Sequence, residues 1–310
     1  MNTLFAMGRL QEAVKVKGPL CTGIDTDSSY LPPEVLSQYD SPSQAVLAYN
    51  LGLIEATAPY SACFKVQIAY YEAMGLAGLD TYVKTLKAIK ASGVPVIADI
   101  KRGDIADTAK AYAKAHFTGD FEADIITLNP YMGFDTLAPF TEYISPEKGG
   151  KGAFVLLRTS NPGMVDIEKQ ELAKGGYVLD HVGSELLSIA EKYAHLYPGA
   201  ECAPFGAVVG CTEESDARAL RDTYPNIFFL IPGYGAQGGA ARIAATLLDK
   251  AGGVVNSSRG ILCAWKKDEN IAAKKEAGSL TLNDIVASAE KAAKEGKADL
   301  LNAASLLGIK

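Results

Sequence analysis

Short apolar runs rich in β-branched residues recur along the chain, separated by longer stretches of helical periodicity. The runs cover residues 20–24, 62–68, 94–98, 123–128, 153–157, 206–209, 227–231 and 253–256. Several lack strict alternation of apolar and polar positions, as parallel strands buried on both faces do. Between them, Val46, Tyr49, Leu53 and Thr57 mark one apolar stripe, and Leu79, Val83, Leu86 and Lys90 mark another. Eight strand–helix units in about 250 residues predict an α/β fold, the (β/α)8 TIM barrel. A doubly wound sheet is the alternative, but it usually has fewer strands and an opening nucleotide fingerprint. No G-x-G-x-x-G follows the first run, and no Walker A sequence occurs anywhere.

The pattern outside the strand–helix units completes a single domain over residues 1–310. The first ten residues read as a starting helix without a signal-peptide core. The barrel occupies about residues 20–262. The Lys/Glu/Ala-rich tail, residues 265–310, reads as the eighth helix plus a helical extension packed on the outside. Residues 161–174, polar and containing Pro162 and Gly163, form a long loop after the fifth run, either a lid or an ordinary surface excursion.

Composition narrows the chemistry. With 310 residues and 48% hydrophobic content the chain can bury a large core. A net charge of −6 argues against a nucleic-acid partner, which would need a basic footprint. No apolar run approaches the roughly 20 residues of a membrane span. Five cysteines, within or beside strand-like runs and without metal-like spacing, point to reduced thiols in the cytoplasm. The three histidines, His116, His181 and His195, form no zinc pattern and no serine–histidine arrangement. Any chemistry must be run by Lys and Asp.

Those residues concentrate in one place. Lys65 lies in the second run, and Asp99-Ile-Lys101-Arg-Gly-Asp104 follows the third. Residues two apart in a strand point the same way, so Asp99 and Lys101 project together from its end. Gly103 lets the chain turn, and Asp104 is placed to cap a helix over about residues 105–115. Thr108, four residues on, shares its face. An Asp before a helix is often only a cap and a Lys-Arg pair often a solvated corner. The spacing alone leaves both a structural and a chemical role open.

The loops after the seventh and eighth strands, the usual phosphate grip of such barrels, read Pro232-Gly-Tyr-Gly-Ala-Gln-Gly-Gly239 and Asn256-Ser-Ser-Arg-Gly260. Glycines permit close backbone approach and aim N–H groups at an anion. Gln237 can donate an amide, and Arg259 can bind phosphate oxygens bidentately. Either loop alone is weak; both together, with an Arg in the second, favour phosphate binding.

With both ends of the site in view, the chain resembles the orotidine 5′-phosphate decarboxylase family, in its longer bacterial-type branch, over about residues 20–262. The family's D-x-K-x-x-D-I-x-x-T signature is matched by Asp99, Lys101, Asp104, Ile105 and Thr108. The resemblance implies a substrate-ribose contact for Asp25, a second-strand lysine in Lys65, a pyrimidine contact for Ser160, and phosphate contacts for Gln237 and Arg259. It implies a catalytic row of Lys65, Asp99, Lys101 and Asp104, the last reaching across a homodimer interface so that active sites are shared. The implied reaction converts orotidine 5′-phosphate to UMP and needs no metal, flavin or pyridoxal phosphate. Sister enzymes that act on sugar phosphates share D-x-K-x-x-D but use Mg²⁺, held in part by a Glu at the second-strand position. Here that position is Lys65, and an ammonium cannot ligate Mg²⁺. A Mg²⁺-dependent decarboxylase or aldolase and a non-catalytic nucleotide-binding barrel are the competing readings.

Overall fold

In the computed structural model, which describes residues 5–234 and 238–309, eight parallel strands close into a barrel in sequence order. They are β1 (Leu20–Gly23), β2 (Cys63–Gln67), β3 (Val96–Arg102), β4 (Ile125–Leu128), β5 (Gly152–Arg158), β6 (Phe205–Val209), β7 (Phe229–Ile231) and β8 (Gly253–Ser257), and β8 pairs with β1. Each expected apolar run holds a strand. The third differs most: β3 begins after Pro95, which has no N–H to give, and runs on through Lys101. Asp99 and Lys101 are therefore strand residues.

The long helices are α1 (Ala6–Lys17), α2 (Pro42–Thr57), α3 (Gly75–Ala91), α4 (Ala106–Thr118), α5 (Val178–Tyr193), α6 (Glu214–Thr223), α7 (Gly238–Leu247) and α8 (Leu282–Leu306). Short turns between residues 134 and 148 stand where a helix would follow β4. The stripe expected on α2 is fully buried. On α3 the buried face is instead Gly78, Tyr82, Leu86 and Ile89, with Lys90 exposed. The anticipated stripe was rotated because Tyr82, amphipathic by composition, is the residue that packs, against Tyr71 and Phe121.

A second correction concerns α4. Its N-cap is Ile105, not Asp104, and the Asp104 carboxylate only accepts the neighbouring Ile105 N–H at 2.8 Å. Ala106, at φ +47°, breaks the helical path between Asp104 and Thr108, so they do not share a helical face.

Helix α8 packs between α2 and α7, and so fills the eighth helical place in the outer ring. A capping box starts it: Asp284 N–H donates to Thr281 Oγ1 while Asp284 Oδ2 accepts Thr281 N–H. Upstream, the Trp265 indole donates to Tyr30 O at 2.9 Å and ties the tail to the loop after β1. None of the described helices is long and apolar enough to cross a membrane.

Helix α1 closes the bottom. Ala6 N–H donates to Gly150 O, Arg9 pairs with Asp124, and Gln11 donates to Ala251 O, all on segments that lead into β5, β4 and β8. Its Phe5, Met7 and Leu10 join Cys21, Cys63, Ile97, Ile125, Phe154 and Val254 in an apolar cluster inside the barrel. Two residues further along four of those strands come Gly23, Lys65, Asp99 and Thr127. The alternation of a strand thus turns an apolar floor into a polar layer one step nearer the C-terminal mouth.

Candidate active site

The polar layer is a row of alternating charge. Lys65 Nζ lies 3.0 Å from Asp25 Oδ1 and 3.0 Å from Asp99 Oδ2, and Lys101 Nζ lies 2.6 Å from Asp99 Oδ1. The row Asp25–Lys65–Asp99–Lys101 thus carries two positive and two negative charges. Lys65 and Asp99 are buried, whereas the Lys101 side chain keeps 45% of its surface open toward the mouth. The most accessible charge of the row is the one free to meet a ligand.

Burial opposes charge on both inner groups. It would lower the Lys65 pKa, but the facing carboxylates of Asp99 and Asp25 overrule it and hold the ammonium well above the ordinary lysine value. Burial would likewise raise Asp99, but Lys65 and Lys101 hold its carboxyl well below the usual range. Each charge exists in the interior because its neighbours are charged.

Residues overlooked in the sequence complete the row. Ser258 Oγ donates to Asp25 Oδ2 at 2.7 Å, and Asn256 Nδ2 donates to Ser258 Oγ at 3.1 Å. Thr127 Oγ1 donates to Asp99 Oδ1 at 2.8 Å. The available signal was a polar residue inside an otherwise apolar run, Ile125-Ile-Thr-Leu128. Gly23 makes room for Ser258, since a Cβ there would lie 2.0 Å from its Oγ. Ser258 directly precedes Arg259, so one hydroxyl joins the charged row to the loop after β8.

The remaining expected residues stand around the same rim without joining the row. Ser160 follows β5 and is exposed. Arg259 is exposed as the first residue of a short helix, Arg259–Leu262, after β8. In the loop after β7, Gly233 has φ +84°, a left-handed conformation that favours glycine. Gln237 lies outside the described residues. β7 and β8 are paired neighbours, so both loops leave the same side of the mouth. Asp104, Ile105 and Thr108 sit beyond the end of β3, with Asp104 half-buried and Ile105 and Thr108 exposed. Among the described residues Asp104 makes no ion pair with the two lysines.

Such a barrel, with an ammonium–carboxylate row at its C-terminal mouth and an arginine after the last strand, has the architecture of an α/β-barrel enzyme. A sequence profile of the Orotidine 5'-phosphate decarboxylase / HUMPS family matches residues 18–275, and the chain belongs to that family. It is 51% identical over 265 residues to an orotidine 5′-phosphate decarboxylase of Clostridium perfringens, covering 84% of this chain and 90% of the relative. It is 49% identical over 263 residues to that of Clostridium acetobutylicum, covering 84% and 90%. Among solved structures, the putative orotidine 5′-phosphate decarboxylase of Streptomyces avermitilis superposes with a TM-score of 0.76 at 29% identity, covering 98% of each chain. The OMP decarboxylase of Leishmania donovani superposes at 0.68 with 27% identity, covering 96% of this chain and 99% of the other.

The mutual pairing has a pH consequence. Asp99, with a depressed pKa, contributes stability that is present above the ordinary carboxylate value and lost as pH falls through its folded value. Lys65, with a raised pKa, contributes stability that is present below the ordinary lysine value and lost as pH rises through its folded value. Both groups should therefore stay charged throughout the interval between about pH 4 and about pH 10. A ¹³C NMR titration of the Asp99 carboxyl carbon and the Lys65 Cε checks this; a midpoint for either group inside that interval contradicts it.

Proposed function

We propose that this chain removes the C6 carboxylate of orotidine 5′-phosphate as CO₂ and protonates the carbon left behind, giving UMP, the last step of de novo pyrimidine nucleotide synthesis. The observation that carries this reading over a Mg²⁺-dependent one is Lys65, whose ammonium fills the space between Asp25 and Asp99 at 3.0 Å from each. A fixed cation already neutralises the carboxylates that a divalent metal would otherwise bridge. The names of the relatives near 50% identity support the same reaction.

The chemistry follows from the row. Cleavage of the C6–carboxylate bond leaves its electron pair on C6 with no carbonyl or imine placed to absorb it, so stabilisation must be electrostatic. Asp99 faces the departing carboxylate. Two unit charges about 4 Å apart at an effective dielectric of about 20 repel by ~4 kcal/mol, and that repulsion is relieved as CO₂ leaves. Lys101, held by Asp99 and open toward the mouth, stabilises the carbanion and gives C6 a proton from Nζ; solvent then restores the ammonium. Asp25 takes the ribose, Ser160 the pyrimidine, and Gln237 with Arg259 the phosphate. Binding energy from the distant phosphate is spent on ordering the mouth around the reacting carbon.

The protein works as a cytoplasmic homodimer in this reading, with Asp104, Ile105 and Thr108 completing the neighbouring site. Support comes from exposed apolar side chains at the same corner: Ile105 is 53% exposed, Tyr131 74% and Met132 51%. Solvent-exposed large apolar groups clustered beside an unpaired carboxylate are what a partner would cover.

Two experiments test this function. Loss of the orotidine 5′-phosphate absorbance should proceed undiminished in excess EDTA. Activity that disappears with EDTA and returns with Mg²⁺ favours a metal-dependent enzyme, and UMP binding without turnover favours a nucleotide-binding barrel. For the shared site, Lys65→Ala and Asp104→Ala homodimers should both be nearly inactive. An equal mixture after subunit exchange should recover about one quarter of wild-type activity, because about half the dimers are mixed and each has one intact site. Verified heterodimers that stay inactive contradict a shared site.

A further inference from the structure

Lys101 has an unusual backbone. Its φ is +45°, in the left-handed region that a long side chain rarely adopts, and such a conformation persists only where the surroundings enforce it. The pairing of β3 with β4 shifts register between Ala98 and Arg102, so the regular ladder is interrupted where Lys101 sits. One atom fills the gap. Thr127 Oγ1 accepts the Ile100 N–H at 2.9 Å and the Lys101 N–H at 2.9 Å, and donates its own proton to Asp99 Oδ1 at 2.8 Å. A hydroxyl has one proton and two lone pairs, and here all three are used. Thr127 is 1% exposed, so water cannot readily replace it.

We propose that Thr127 is a positioning residue for the decarboxylation, a step that rests on the role given above to Lys101 as proton donor. Its hydroxyl refers the Lys101 backbone and the Asp99 carboxylate to a single point. The same Asp99 Oδ1 receives the Thr127 proton and the Lys101 ammonium at 2.6 Å. Without the hydroxyl, the buried Ile100 amide and the part-buried Lys101 amide lose their acceptor, and β3 is released to relax toward regular strand pairing. That relaxation turns the Lys101 side chain away from the reacting carbon while leaving the ribose and phosphate contacts in place. The contacts of the Thr127 hydroxyl are the Ile100 and Lys101 amides and the Asp99 carboxylate, so it acts through the placement of Asp99 and Lys101.

The test compares Thr127→Val, which keeps the shape and deletes the hydroxyl, with Thr127→Ser, which keeps the hydroxyl. Displacing a reacting group by about 1 Å can cost roughly 10²-fold in rate, so the valine variant should lose roughly that much kcat, with KM and UMP affinity within a few-fold of wild type. The serine variant should recover most of the kcat. Should the valine variant fail to fold, Thr127→Cys, which offers only a weak acceptor, takes its place against the same thresholds. A folded valine or cysteine variant with near-wild-type kcat, even at a lowered Tm, overturns the proposal. So does an equal kcat loss in the serine variant. Wild-type protein that does not convert orotidine 5′-phosphate would instead sink the assigned reaction, an outcome read independently of the variants.

Discussion

A buried carboxylate held between two ammonium groups is the constraint around which this molecule is arranged. Asp99 is almost without solvent, and it stays ionised because Lys65 and Lys101 flank its two oxygens. Removing one partner from such a buried pair typically costs about 3–5 kcal/mol, because the remaining charge is left uncompensated. The barrel supplies what the row needs. An apolar layer capped by α1 excludes water from below, and parallel strands set Lys65 and Asp99 at fixed depth. The only charged group of the row with substantial exposure is Lys101.

The same arrangement explains several local departures from regular structure. Gly23 has no side chain because Ser258 occupies that space to reach Asp25. β3 slips against β4, and Lys101 takes a left-handed backbone, where Thr127 accepts two consecutive backbone N–H groups. Backbone strain held by buried partners is a recurrent way for a fold to prepare a geometry before a ligand arrives. Preorganisation of this kind is what an electrostatic mechanism requires, since charges already in position need no reorganisation during the reaction.

The barrel was legible in the sequence because eight β-branched runs at helical intervals leave few other ways to bury both strand faces. Lys65, Asp99 and Lys101 were legible as a charged cluster on two apolar runs, whereas the fourth place in the row within this chain is taken by Asp25 and not by Asp104. The connectivity was less so: Asp25, expected at the ribose, also neutralises Lys65, a contact between the loop after β1 and β2 that no local spacing encodes. Thr127 and Ser258 escaped notice since a hydroxyl in a strand or a Ser-Ser pair in a loop is common, and their meaning arises only from cross-strand register. The start of α4 was misjudged for a local reason. Asp104 has the composition of a cap, yet Ala106 turns left-handed and moves the helix start past it. That turn leaves Asp104 half-buried, with Ile105 beside it exposed.

The central claim is that Lys101 performs the protonation while other groups bind the substrate. Single-turnover conversion of orotidine 5′-phosphate by Lys101→Ala, measured beside its UMP affinity, tests it most directly. Turnover should fall to background, with UMP bound nearly as tightly as by wild type. Turnover above a few per cent of wild type in the purified, folded variant would contradict it.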